Sequence, residues 1–270
     1  MLETFRRAFQ TKDIRRKLGY TFLMLIVIRL GSQLPTPGVD PTYIKEFFAQ
    51  NSGEAFNLFN AFTGGSFEQM SILALSITPY ITSSIIVQLL TIAIPKLEEM
   101  QKDGEDGRKK INEYTRYLSI ALAVIEGAAI VIGFRNQGLF GTDNPQSSMT
   151  TAIVVAVAAL TAGAAFMMWL GEQITEKGVG NGISIILLIN IVARIPNDLS
   201  NLYQNYVAKP TDVTSKIIAA VIILAIIVAM FVFIVFLQDG ERRIPVQYAK
   251  KIQGHKVSGG QSSHIPLKVN

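Results

Sequence analysis

The chain has 270 residues, 49% of them hydrophobic, with a formal net charge of +5 and a mean hydropathy of +0.34. Several separate apolar runs each approach bilayer length, which excludes a single soluble domain and indicates a polytopic membrane protein. Cysteine is absent, so disulfides and thiolate metal sites are excluded as well.

Met1 to Lys17 carries Arg6, Arg7, Lys12, Arg15, Arg16 and Lys17 ahead of the first apolar run. No small-residue cleavage site follows, so the segment reads as a retained cytosolic tail and not a signal peptide. Leu2, Phe5 and Phe9 give it one greasy side, suited to a short helix on the membrane surface, and a frayed basic tail fits the same residues. The first predicted span runs from about Leu18 to Leu34. It contains Arg29, whose charge has to snorkel, find a partner or face the protein interior, and for which structural anchoring is the simpler role. Pro35, Pro37 and Gly38 stop this helix.

Phe56, Asn57, Leu58, Phe59, Asn60, Ala61, Phe62, Thr63, Gly64, Gly65, Ser66 and Phe67 form an aromatic segment too short to span a bilayer. Its Gly-Gly break before the next apolar run marks it as re-entrant or interfacial. Beside a pore it would serve as a stopper.

Ser71 to Pro95 is long enough to span, since roughly 20 apolar residues at 1.5 Å rise cover the hydrocarbon core. It is nevertheless a poor plain anchor. Pro79 lies near its middle, and Ser76, Thr78, Thr82, Ser83, Ser84, Gln88 and Thr91 place polar groups where lipid offers no partners. Helical spacing predicts one stripe of Ile77, Ile81, Ser84, Gln88 and Thr91, apolar first and polar later. Such a face suits either a water-containing path with an isoleucine constriction or plain small-residue packing against neighbouring helices.

Lys96 to Arg116 is rich in both charge signs, with turns expected at Gly104 and Gly107, and reads as a solvated loop. The third span, about Tyr117 to Phe134, carries Glu126, a functional-site candidate or a structurally paired acid. The fourth, about Met149 to Leu170, is built of Ala, Gly and Val and favours close packing. In GVGNGIS, Gly178, Gly180 and Gly182 punctuate a sharp turn; without a preceding strand or βαβ unit this is not a phosphate-binding loop. The fifth span begins near Ile183 and is clearly apolar only to about Ile195. The sixth, Ile217 to Leu237, is an uninterrupted apolar run, after which the chain is polar to Asn270.

With a cytosolic N-terminus the inner segments hold nineteen Lys and Arg and the outer segments five, so the positive-inside rule selects that orientation. Six spans then return Gln238 to Asn270 to the cytosol. HExxH, GxSxG and P-loop motifs are absent, and the histidines, His255 and His264, lie in the polar tail. The expectation is a non-enzyme with no catalytic residue, metal or cofactor.

Together, SILALSITPYITSSIIVQLL, EQITEKGVGNGISIILL, FNAFTGGSF and the closing QYAKKIQGHKVSGGQSSHIPLKVN resemble the SecY family, channel subunits of the bacterial Sec protein translocase. The resemblance runs essentially from Met1 to Asn270. It implies an all-α polytopic bundle of six spans plus a short re-entrant plug helix, equivalent to the family's first five-helix half and its sixth span. The divisions are residues 1–17 as tail, 18–206 as that half with its plug, 207–237 as external loop and sixth span, and 238–270 as basic cytosolic loop. The family has ten spans, so the remaining spans are expected on a second chain or segment.

The activity implied is passage of unfolded polypeptides across the bacterial plasma membrane and lateral release of transmembrane segments into lipid. Implied partners are the SecA motor ATPase, the SecE and SecG subunits, the ribosome, the translocating polypeptide and membrane lipid. By matching motifs, Ile77, Ile81 and Ile191 are assigned to the pore ring, residues 56–67 to the plug, and Thr82, Gln88 and Glu126 to the lateral gate. Arg242, Arg243, Lys250 and Lys251 are assigned to partner docking, although a basic loop that only obeys the positive-inside rule has the same composition. A secondary transporter is the reading from another class, but it would gather ionisable groups at the midplane, where only Glu126 and Arg29 are candidates. A passive membrane anchor leaves Pro79 and the glycine breaks unexplained.

Overall fold

The structure, a computed structural model, describes residues 11–50, 54–135, 139–140, 146–208, 213–246, 251–253, 256–258 and 263–268. Its helices are α1 (Lys12–Gly31), α2 (Pro41–Gln50), α3 (Glu54–Thr63), α4 (Thr78–Ala93), α5 (Pro95–Lys102), α6 (Glu105–Arg135), α7 (Gln146–Lys177), α8 (Gly182–Leu202) and α9 (Val213–Gln238). Four short strands follow: β1 (Glu241–Val246), β2 (Lys251–Gln253), β3 (Lys256–Ser258) and β4 (Ser263–Lys268). Most of the N-terminal tail, residues 1–10, lies outside the described residues.

By length and composition α6, α7, α9 and α8 with its continuation to Ala208 can each cross a membrane, and the bent pair α4–α5 can supply a fifth span. The 20 residues of α1 include Arg15, Arg16, Lys17 and Arg29, which keep it outside that composition test. The 31 residues of α6 and 32 of α7 reach about 46 and 48 Å at 1.5 Å per residue, well beyond a hydrocarbon core of about 30 Å. Their ends therefore continue into water.

This corrects the loop expected over Lys96 to Arg116. The segment is mostly exposed but helical, comprising α5 and the first three turns of α6, and the path turns through 102° where α4 meets α5. High charge content signals solvation and does not exclude helix, as the 2.6 Å Lys102–Glu98 pair at i,i+4 illustrates.

A second correction concerns Pro79. It does not interrupt a helix, because α4 begins at Thr78 and Pro79 occupies its first turn, where a missing N–H costs nothing. Residues 71–77 are instead a run of turns. Ser71 pairs with Pro35, the Ile72 N–H donates to the Leu34 carbonyl (2.9 Å) and the Thr36 N–H to the Met70 carbonyl (2.9 Å). Met70 and Ser76 bracket the run at φ of +41° and +52°, rare for residues with a Cβ. Irregular backbone is tolerated at membrane depth only inside protein, and Ser71, Leu73, Ala74, Leu75, Ser76 and Ile77 are all buried.

The chain divides into two compact units, residues 1–196 and 197–270. The first has two apolar clusters. One gathers Ile44, Phe67, Met70, Leu75, Val131, Phe134 and Leu160, with Phe47 and Phe59 packed against it. The other gathers Ile28, Leu73, Ile77, Met167, Leu170, Ile174 and Ile186. At Gly163 on α7 the helix comes so close to the irregular run that an added Cβ would overlap the Ile72 carbonyl. Small residues permit that approach.

In the second unit α9 is the most apolar helix, and none of its spanning window is buried. The strands were not anticipated. β1 pairs antiparallel with β4, in register Glu241–Lys268, Arg242–Leu267, Arg243–Pro266, Ile244–Ile265, Pro245–His264 and Val246–Ser263. β2 pairs with β3.

Candidate functional site

The sharp turn between α7 and α8 sets the position of α8. Asn181 caps the helix, its Oδ1 accepting the N–H of Ile183 (3.0 Å) and of Ser184 (3.4 Å). The Thr175 hydroxyl accepts the Gly182 N–H at 2.8 Å, and the Thr21 hydroxyl of α1 accepts the Val179 N–H at 3.1 Å. The glycines thus serve packing and turning, and α8 leaves the turn firmly tied to α7 and α1.

Ile77, at the N-cap of α4, is 1% exposed and lies in the cluster with Ile186 of α8 and Leu170 of α7, against which Ile81 also packs. Ile191, one turn further along α8, is 36% exposed and outside that cluster. The buried face of α4 is Pro79, Ser83, Val87 and Thr91, not the stripe through Ser84 and Gln88. Gln88 is exposed and donates to the Ser84 hydroxyl at 3.2 Å. Thr82 and Glu126 are both partly exposed, and among the described residues no hydrogen bond joins them.

Helix α3 covers ten residues, about 15 Å, so it is half a span. It ends at Gly64 and Gly65, with φ of +67° and +85°. Gly64 is constrained twice. Its φ disfavours any side chain, and a Cβ there would lie 2.9 Å from the Asn190 carbonyl oxygen and 3.0 Å from Nη2 of Arg29. The helix is pinned to the first cluster by Phe59, edge-on to Phe67 with centroids 4.8 Å apart, a contact of about 0.5–1.5 kcal/mol beyond area burial. Leu58 and Phe62 face outward, 61% and 40% exposed. Nothing is described of the Phe56 side chain.

Polar side chains converge where α3 ends. Arg29 donates through Nη1 to the Gly64 carbonyl (3.3 Å) and through Nη2 to the carbonyls of Ile189 (2.8 Å) and Asn190 (3.4 Å). Asn190, 2% exposed, donates from Nδ2 to the Ser76 hydroxyl at 2.9 Å. Glu68 accepts from the Asn60 amide at 2.8 Å, and its carboxylate lies 3.9 Å from Arg194 of α8. Sequence reading singled out Arg29 but missed Asn190, Glu68, Ser76 and Arg194 as a group. The signal available was the polar pair Asn190 and Arg194, spaced i,i+4 in an otherwise apolar run.

Arg242 and Arg243 lie exposed on β1. Lys250 lies outside the described residues. Lys251 is in β2, and nothing is described of its side chain.

Against known proteins, the SecY family model matches residues 71–270. A protein translocase subunit SecY from Pseudomonas aeruginosa is 46% identical over 259 residues, covering 96% of this chain and 56% of that protein. The subunit of that name from Streptomyces scabiei is 43% identical over 279 residues, covering all of this chain and 62% of its own length. The chain therefore spans between 56% and 62% of these curated relatives. Among solved structures, one described as a protein conducting channel matches with a TM-score of 0.58 at 19% identity, over 94% of this chain and 52% of the other. Sec61 in the canine ribosome-channel complex from the endoplasmic reticulum matches with a TM-score of 0.56 at 19% identity, over 86% and 49%.

Proposed function

Because the chain belongs to the SecY family, we propose that it forms the first half and sixth span of a protein-conducting channel that passes unfolded polypeptides across the bacterial plasma membrane and releases apolar segments sideways into lipid. The observation that carries this reading is a half-length helix on a glycine joint, held in a bundle whose neighbouring cluster contains Ile77 and Ile81. A half-span is too short to cross the bilayer. It is the right size for a stopper. Ile77, Ile81 and Ile191 then contribute to an apolar ring, Thr82, Gln88 and Glu126 to the lateral gate, and the N-terminus is cytosolic. Family membership favours the channel over a transporter of small solutes.

The family's remaining spans complete the channel, and SecE, SecG, the SecA motor and the ribosome are the partners. Reconstituting the chain with those spans, subunits and SecA in proteoliposomes should give ATP-dependent uptake of an unfolded polypeptide. Energy-dependent uptake of a small solute without polypeptide transport would overturn the reading.

The stopper can be tested by labelling. The native chain has no cysteine, so Phe62→Cys introduces a single thiol on the exposed side of α3. A membrane-impermeant reagent added outside should label it slowly in the resting channel and at least about tenfold faster with a polypeptide arrested in transit, as expected for a site whose opening depends on a local equilibrium. Equal, fast labelling in both states would mean that α3 stands permanently in the outer aqueous phase.

For docking, Arg242 and Arg243 present guanidinium groups that can engage carboxylate or phosphate bidentately. Arg243→Glu should weaken SecA and ribosome binding by about tenfold or more at low salt, and Arg243→Lys by less, with insertion unchanged. Parental affinity of both arginine charge reversals for both partners would reduce the ribbon to a topological signal.

A further inference from the structure

Arg29 is a cation in the apolar part of α1, and among the described residues it has no carboxylate within ion-pair distance. Removing a guanidinium from water without a counter-ion is costly, so its carbonyl acceptors are what make its position tenable. Two of them, on Ile189 and Asn190, belong to α8, which is fixed by its capped N-terminus and the turn before it. The third, on Gly64, belongs to the joint of α3. Beyond that joint Glu68 holds the Asn60 side chain of α3 and faces Arg194, again on α8. Both arginines thus connect the short helix to the same spanning helix, one through main chain and one through a carboxylate.

We propose that Arg29 and Glu68 are positioning residues of a two-point latch that holds α3 against α8 in the resting channel and releases it when a polypeptide enters. This rests on the reading of α3 as a movable stopper. Arg29 holds α8 through two carbonyls, at 2.8 and 3.4 Å, and the joint through one, at 3.3 Å, so when the latch opens the guanidinium keeps its two acceptors on α8 and gives up the single one on the joint. Water in the opened path then takes the place of the Gly64 carbonyl, which makes release reversible. The Glu68 carboxylate is 40% exposed and its 3.9 Å pair with Arg194 is too long for a direct hydrogen bond, so this point also parts at low cost.

The test is resting ion conductance in planar bilayers of the complete channel with all its subunits. The variants are Arg29→Met, Arg29→Lys, Glu68→Gln, deletion of residues 57–65, and the deletion combined with each single substitution. Loss of a charged hydrogen bond from the closed state should raise open probability about tenfold for Arg29→Met, and less for Glu68→Gln and for Arg29→Lys, which keeps charge but loses the fork. In the deletion background none of the three should add conductance, because nothing remains to be held. Equal increases in both backgrounds would assign these residues to general bundle packing and overturn the latch. Parental conductance of the substitutions beside a leaky deletion would remove the latch and leave the stopper standing, whereas a silent deletion would remove both. Should Arg29→Met fail to assemble, Glu68→Gln, at a partly exposed site, decides by the same comparison.

Discussion

Replacing Gly163 with leucine should strongly destabilise the first unit. At that position α7 meets not a flexible side chain but the carbonyl of Ile72, and even a methyl group would overlap it. Side-chain crowding can be relieved by a rotamer change; a carbonyl held in a hydrogen-bonded turn cannot move alone. The Ile72 N–H is committed to Leu34, so separating α7 from the run also strains its attachment to the end of α1. The expected cost is about 3 kcal/mol or more, lowering Tm in detergent by roughly 10 °C. Gly163→Ala should give a smaller shift in the same direction. An unchanged Tm for the leucine variant would show that the irregular run is not seated against α7.

The second large effect is expected at the proposed constriction. Ile77 and Ile81 lie within one apolar cluster, and a narrow apolar collar excludes ions because water wets it poorly. Changing both to serine in the complete channel puts hydroxyls where methyl groups excluded water, and resting conductance should rise by about two orders of magnitude. That is the factor expected from about 3 kcal/mol, the transfer cost of two partly desolvated polar groups. Parental conductance in planar bilayers would count against a pore-facing position for both residues. On the proposed reading the ring seals the path without moving the chain, so polypeptide transport should continue.

Much of this was legible in the residues. The runs behind α6, α7 and α9 are hydrophobic enough to announce themselves, that behind α8 is clearly apolar only to about Ile195, and Gly64-Gly65 marked the joint whose positive φ the structure displays. What hydropathy cannot report is where a helix ends once it has left the bilayer. The third span was expected from Tyr117, yet α6 begins at Glu105, because the polar turns before the membrane are as helical as the apolar ones within it. Pro79 was misplaced for a different reason. Ser71–Ile77 has helical composition, but in the fold it is a run of turns paired through its backbone with Leu34 and Pro35, contacts that no local pattern announces. The polar group around Asn190 was largely hidden, because folding brings Arg29, Glu68 and Ser76 to it and the local hint was the i,i+4 spacing of Asn190 and Arg194.

The ladder of β1 and β4 has a further consequence. Pro245 and Pro266 stand two register steps apart, opposite His264 and Arg243, at positions of one parity. Neither can donate, so both belong to pairs whose N–H groups would point away from the ladder. Each outer edge has lost a donor and carries a pyrrolidine ring in its place, which discourages addition of a third strand. A partner docking here, as proposed, would have no continuous backbone edge to extend and would read the ribbon through its two faces. One carries Ile244, Ile265 and Leu267, all more than 40% exposed, and the other Arg243, His264 and Lys268. Recognition of that kind depends on side-chain identity, so it can diverge between species by single substitutions while the ribbon itself stays unchanged.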